Sequence, residues 1–194
     1  MTKRTAAITR RTLETDIALE LNLDGSGQAK IATGLGFLDH MLNSLARHSG
    51  MDIDLRCQGD LQVDDHHTVE DCAIVLGQAI DRALGERADI ARFAYAYAPL
   101  DESLSRCVLD LATRITAIVN LDLRREMIGQ VACENFAHFF QTLAANTRMT
   151  LHLDVLRGEN DHHKIESAFK AFALALRQAI QCVANGGAST KGTL

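Results

Sequence analysis

Tryptophan is absent from this 194-residue chain, aromatic residues make up only 5% of it, and there is a single proline, Pro99. So few rings leave the core to aliphatic side chains. No 18 apolar residues run together and none gather at the N-terminus, so neither a signal peptide nor a membrane span is expected and the cytoplasm is the expected location. No excess of basic charge is present either. The net charge is -5, and the lysines and arginines are scattered, so nucleic acid is excluded as the main partner. Cys57, Cys72, Cys107, Cys133 and Cys182 form no CxxC pair and are odd in number, as expected of buried thiols in a reducing compartment.

What is present is a globular composition, 47% hydrophobic and 23% charged, long enough for one sizeable domain or two small halves around a shared core. The chain also repeats itself. Asn22-Leu23-Asp24 recurs as Asn120-Leu121-Asp122, and the same offset pairs His40 with His138, Met51 with Met149 and Leu55 with Leu153. After a two-residue slip, Asp65-His66-His67 pairs with Asp161-His162-His163 and Glu70 with Glu166. Two repeats, about 1–90 and 91–194, follow.

In the first repeat, alternating Ile17, Leu19, Leu21 and Leu23 predict a strand. Gly25-Ser26-Gly27 predicts a hairpin-like turn into a second strand near 28–32. A helix is expected over about 37–48, a strand over 51–57 and a helix over about 66–84. The second repeat predicts strands over 104–111 and 115–123, a helix near 133–146, a strand over 149–156 and a helix over about 161–183. Residues 87–98 bridge the repeats and add a strand, with Pro99 at the junction. The fold class is α+β, with internally duplicated β-β-α-β-α halves, each a mixed or antiparallel sheet with helices packed on one face.

His66, His67 and Glu70 begin one predicted helix, and His162, His163 and Glu166 begin another. Spacings of three and four bring the Glu onto the face of each His, while adjacent histidines point about 100° apart, so one helix can serve two ions. Nitrogen and carboxylate donors suit Mn, Fe or Zn better than Ca or Mg. His40 and His138 each lie one helix upstream. Six histidines and two glutamates divide into two sites of three His and one Glu, leaving open positions for catalysis. A lone His pair at a helix start is more often a solvated cap, with Asp65 or Asp161 as N-cap, but two matched copies reverse those odds. His48 is expected near the site or on the surface, and His152 has no role.

Gly36-Phe37-Leu38-Asp39-His40-Met41-Leu42, Ala46-Arg47-His48, Asp64 to Asp71, Pro99-Leu100-Asp101-Glu102, Leu156-Arg157-Gly158, His162-His163-x-x-Glu166 with Phe169-Lys170-Ala171, and Ser189-Thr190-Lys191-Gly192 resemble the imidazoleglycerol-phosphate dehydratase family. The resemblance covers essentially the whole chain and is to the single-function form, without a fused phosphatase. Ala188 departs from it, where the family often has proline.

The resemblance implies a ribosomal protein S5 domain 2-like fold and a lyase of histidine biosynthesis, which removes water from D-erythro-imidazole glycerol phosphate to give imidazole acetol phosphate. It implies two Mn²⁺ per active site and a homo-oligomer of 24 subunits with active sites at subunit interfaces. The expected ligands are His40, His66, His67, Glu70, His138, His162, His163 and Glu166, with their division between the ions left open. The proton to be removed has no carbonyl to acidify it. A di-metal-bound imidazolate supplies the missing driving force, its ring expelling the neighbouring hydroxyl through a diazafulvene-like intermediate. Family pattern alone makes Glu14 the acid/base and places the phosphate on Arg92, Arg114, Lys170, Ser189 and Lys191. Read from the residues, Glu14 is an edge carboxylate at a strand start and Lys170 an i,i+4 partner of Glu166. A metal-storage protein shares the histidines but needs no phosphate pocket. A small-molecule kinase needs a Gly-rich phosphate loop, which Gly25-Ser26-Gly27 and Gly34-Leu35-Gly36 do not form. A structural shell protein needs no His-His pair.

Overall fold

The computed structural model describes residues 3–183. Period-two apolar patterns become strands and 3.6-period patterns become helices. In chain order these are β1 (Thr5–Arg11), β2 (Thr15–Asn22), β3 (Ala29–Ala32), α1 (Gly36–Ser49), β4 (Asp52–Gly59) and α2 (His66–Leu84). The second half follows with β5 (Phe93–Leu100), β6 (Ser103–Asp110), β7 (Thr116–Asn120), a small β8–β9 hairpin (Met127–Ile128, Val131–Ala132), α3 (Cys133–Thr147), β10 (Thr150–Arg157) and α4 (Asp161–Ala179).

The sheets run β1-β2-β4-β3 and β5-β6-β10-β7, the same order twice, and both are mixed. The last strand of each lies parallel to its neighbour, β3 to β4 and β7 to β10, and the other pairs are antiparallel. The α+β duplication is therefore as expected, with one correction: the four-stranded sheet of each half has one strand more than β-β-α-β-α, and the second half adds the β8–β9 hairpin. Residues 87–98 do supply β5, but β1 escaped the periodicity because its buried positions are only Ala6 and Ile8. The expected hairpin at Gly25-Ser26-Gly27 is also corrected. β4 sits between β2 and β3, so the turn carries the chain across the end of the sheet. Asp52 Oδ1 holds that crossing by accepting the backbone N–H of Ser26 (2.8 Å) and of Gln28 (2.9 Å).

Strand register also revises the repeat. Leu19 of β2 faces Leu55, and Cys107 of β6 faces Leu153, its counterpart. Leu19 and Cys107 are thus equivalent, 88 residues apart. Asn22-Leu23-Asp24 and Asn120-Leu121-Asp122 are not equivalent, since Asn22 ends β2 and Asn120 ends β7. The offset widens to 98 at α3 because the connection from β7 holds the β8–β9 hairpin, which the first half lacks.

Packing crosses between the halves. α1 lies against α4 and α2 against α3, with one sheet beneath each half's helices and a single core running through. Gly77 lets α2 and α3 approach closely: an added Cβ would lie 2.9 Å from Leu143 O and 2.6 Å from Asn146 Cβ. The core is not purely aliphatic, which corrects the composition reading. Phe136, Phe139, Phe140, Phe169 and Phe172 are fully buried between α3 and α4, with the Phe140 and Phe169 centroids 4.6 Å apart. Five rings placed together matter more than their low overall frequency. Cys72, Cys107 and Cys133 are buried as expected, whereas Cys57 is half-buried and Cys182 exposed. α4 ends at Ala179, short of the predicted 183, and Cys182 instead bridges to Ile90.

The outer faces of the two sheets differ. The first carries Glu20, Lys30, Asp54 and Arg56. On the second, Phe93, Tyr95, Tyr97, Val108 and Ile118 are exposed, and Tyr95, Val108, His152 and Ile118 form one row across the strands.

Candidate metal centre

The crossed helix packing decides which predicted ligands meet. His40 on α1 comes together with His162 and Glu166 on α4, and His138 on α3 with His66 and Glu70 on α2. In each trio one ligand atom per residue lies within 4.8 Å of the others. Both clusters therefore mix the two halves of the chain. In the first, Glu166 Oε2 lies 3.2 Å from His40 Nε2 and 3.2 Å from His162 Nε2. In the second, Glu70 Oε1 is 3.1 Å from His138 Nε2, Glu70 Oε2 is 3.8 Å from His66 Nε2, and the two imidazoles stack at 4.9 Å.

His67 and His163 join neither trio. The Nδ1–H of His67 donates to Asp60 (3.1 Å to Oδ2) and its Nε2 faces Glu14 Oε1 at 3.5 Å. The Nδ1–H of His163 donates to Glu102 Oε2 at 2.7 Å and its Nε2 faces Asp101 Oδ2 at 3.8 Å. Each hydrogen bond raises the pKa of its ring, Asp60 acting on His67 and Glu102 on His163. Glu102 is held far below the usual carboxylate range, first by the Asn160 N–H and then by His163. Glu166 is lowered too: burial pushes it up, but Lys170 and His40 together outweigh that.

The motif helices are not capped by Asp65 or Asp161, as the alternative of a solvated cap had it. Asp64 Oδ1 accepts the His66 N–H (2.8 Å) and Asn160 Oδ1 the His162 N–H (3.0 Å). Asp65 instead accepts from Ala132 N and Asn135 Nδ2, and Asp161 from Arg124 N and Arg125 N. Both tie a motif helix to the connection between β7 and α3. Asn135 completes a chain, its Oδ1 accepting Nδ1–H of His66 at 3.0 Å and leaving Nε2 for the cluster. Asn135 and Glu102 were missed in the sequence because their partners lie 69 and 61 residues away, and Asp60 because it lies in the loop before α2, where helical spacing does not apply.

The other expected residues are placed as follows. Glu14 is half-exposed in the turn before β2, not in the strand itself. Lys170 lies beside the first cluster, Nζ 2.8 Å from Glu166 Oε1. Arg92 is buried, pairs through Nε and Nη2 with both oxygens of Asp110, and lies over the Phe93 ring. Arg114 is exposed between β6 and β7. Ser189 and Lys191 lie outside the described residues. His48 is half-buried and its pKa is lowered, by burial first and by Lys170 second.

Two imidazoles and a carboxylate within reach of a single point suit a borderline divalent ion and leave positions for further ligands. The donor set fits such an ion.

The imidazoleglycerol-phosphate dehydratase family model matches residues 33–176. The chain is 51% identical over 197 residues to imidazoleglycerol-phosphate dehydratase of Acinetobacter baylyi, covering all of this chain and 98% of that one. It is 53% identical over 192 residues to the protein of that name in Phytophthora nicotianae, spanning 98% of this chain but 42% of the longer relative. The crystal structure of the Staphylococcus aureus dehydratase superposes with a TM-score of 0.84 at 35% identity, covering 92% of this chain and 99% of that one. That of Pyrococcus furiosus gives 0.83 at 35%, covering 96% and 100%. Family model, relatives and solved structures agree with the paired His-His-x-x-Glu helices: the chain belongs to the imidazoleglycerol-phosphate dehydratase family and is a hydro-lyase.

Proposed function

We propose that the chain dehydrates D-erythro-imidazole glycerol phosphate to imidazole acetol phosphate in histidine biosynthesis, with two manganese ions at each active site. The observation that carries this reading is the pair of His-His-Glu clusters, each assembled from both halves. His40, His162 and Glu166 would hold one ion, and His66, Glu70 and His138 the other. When bound, the ions act as Lewis acids that draw charge from an imidazole ligand and so replace the missing carbonyl as electron sink.

The chain's own residues do the rest. Glu14 is exposed and next to His67, a fit position for a carboxylate that takes a proton from the substrate carbon and returns one to the departing hydroxyl. Lys170 offers an ammonium at the edge of the first cluster, suited to a phosphate, and Arg92 and Arg114 are proposed to share that load, as are Ser189 and Lys191.

His67 and His163 supply the argument for assembly. The Nε2 of His67 faces Glu14 and that of His163 faces Asp101, and neither joins a cluster of its own chain, so each is proposed to complete an ion site on another copy. The apolar outer face of the second sheet is proposed to be covered by a further copy in the same 24-subunit assembly. No helix among the described residues is long and apolar enough to cross a membrane, and a cytoplasmic location is part of the proposal.

The test is turnover of imidazole glycerol phosphate by metal-stripped protein with and without Mn²⁺. Activity that returns only with the ion supports the reading. Full activity of the stripped protein refutes the metal role, and none in manganese-loaded protein refutes the substrate.

A further inference from the structure

We propose that Glu102 is a positioning residue of this site, and that Asp60 does the same work in the other half. Each accepts a hydrogen bond from the Nδ1–H of the second histidine of its motif and so keeps that ring's Nε2 bare as a ligand atom. The inference rests on the metal reading above.

The two halves solve one problem with different residues. At the offset of 88 that relates the strands, Glu102 is the counterpart of Glu14, and both occupy the tip of the hairpin opening their half. At the offset of 96 that relates the motifs, His163 is the counterpart of His67. In the first half the ring is gripped from the loop before α2, by Asp60, while the hairpin tip contributes a backbone carbonyl: Asp60 N donates to Glu14 O at 3.0 Å. In the second half the hairpin tip grips the ring, through Glu102, and the loop before α4 contributes backbone N–H groups. Glu159 N and Asn160 N donate to Glu102 Oε1 at 3.1 and 2.9 Å.

The roles of tip and loop are exchanged, and one carboxylate is released. Glu102 spends one oxygen on the loop and the other on His163, so neither is free for proton transfer. Glu14, with its ring already held by Asp60, keeps its carboxylate exposed. A neutral imidazole carries one ring proton, and a carboxylate acceptor at Nδ1 fixes it there. Metal-binding histidines are oriented in this way, and losing such a partner weakens affinity about 10–100-fold. A purely structural Glu102 would tie the hairpin to α4 without acting through His163.

The test uses full-length, metal-stripped protein titrated with Mn²⁺ alone and read by the electron paramagnetic resonance of the free ion. Glu102→Gln should weaken Mn²⁺ binding about 10–100-fold, because the amide nitrogen that replaces one acceptor oxygen favours the wrong tautomer. In a His163→Ala background the same change should alter affinity less than about 2-fold, since its target is gone. Unchanged affinity in Glu102→Gln, or two effects that simply multiply, would overturn the proposal while leaving the metal centre standing. No Mn²⁺ uptake by the wild type would overturn both. If Glu102→Gln does not fold, judged by its melting curve, the cycle of Asp60→Asn with His67→Ala carries the same two outcomes.

Discussion

His40 and Glu166 are 126 residues apart in the chain, yet His40 Nε2 lies 3.2 Å from Glu166 Oε2. One comes from the first helix of the first half and the other from the last helix of the second. His138 and Glu70 repeat the relationship at 3.1 Å. Neither half on its own holds a complete cluster.

Removing one member should therefore empty one site and spare the other. His40→Ala is predicted to halve the manganese bound per chain and to lower turnover at least about 100-fold, as loss of a Lewis acid would. Metal analysis together with steady-state kinetics checks this. Retention of both ions would show that His40 is not a ligand.

Gly77 sets how closely α2 carries His66 and Glu70 to His138 on α3. Gly77→Ala gains helix propensity, yet its new methyl meets the Leu143 carbonyl and Asn146, so the helices must part. Overpacking of this kind costs about 1–3 kcal/mol. The melting temperature should fall and manganese affinity with it. A more stable variant would mean that the helices adjust freely.

Asp52 links stability to pH. Two backbone N–H donors, from Gln28 first and then Ser26, lower its pKa from the ordinary 3.8. A lowered carboxylate contributes stability above its unfolded pKa and loses it as pH falls through the folded value. Asp52→Asn should cost about 1–2 kcal/mol at neutral pH, and the gap to wild type should narrow below about pH 4. Urea melts at several pH values test it. A gap independent of pH would remove the charge from the account.

Lys170 distinguishes a phosphate contact from a helix ion pair. An i,i+4 helix pair at the surface is worth only about 0.3–0.5 kcal/mol, and even for this mostly buried pair a purely structural role would lower stability without raising KM. Lys170→Gln is instead predicted to raise KM about tenfold or more with a smaller effect on kcat, as expected for a charged hydrogen bond to substrate. An unchanged KM would restore the simpler explanation.

Much of this was legible in the residues. Helical spacing gave both His-His-x-x-Glu helices, and matched offsets led to His40 and His138. The grouping of the candidate ligands into two trios was not legible, because it follows from α1 packing on α4 and α2 on α3, contacts that no local pattern encodes. β1 was missed because Ala6 and Ile8 give too little apolar contrast. The false match of Asn22 with Asn120 arose because a local identity outweighed strand register, which only hydrogen bonding between strands reveals. No spacing rule assigns Glu102 or Asp60 a role, because each acts on a ring that only the folded chain brings to it.

Each ion is proposed to be held by residues from both halves of the chain. Crystals of the manganese-loaded protein, with anomalous scattering recorded at the manganese edge, test it most directly. Two peaks per chain are expected, one among His40, His162 and Glu166 and one among His66, Glu70 and His138. Peaks confined to ligands of a single half, or none at these clusters, would contradict it.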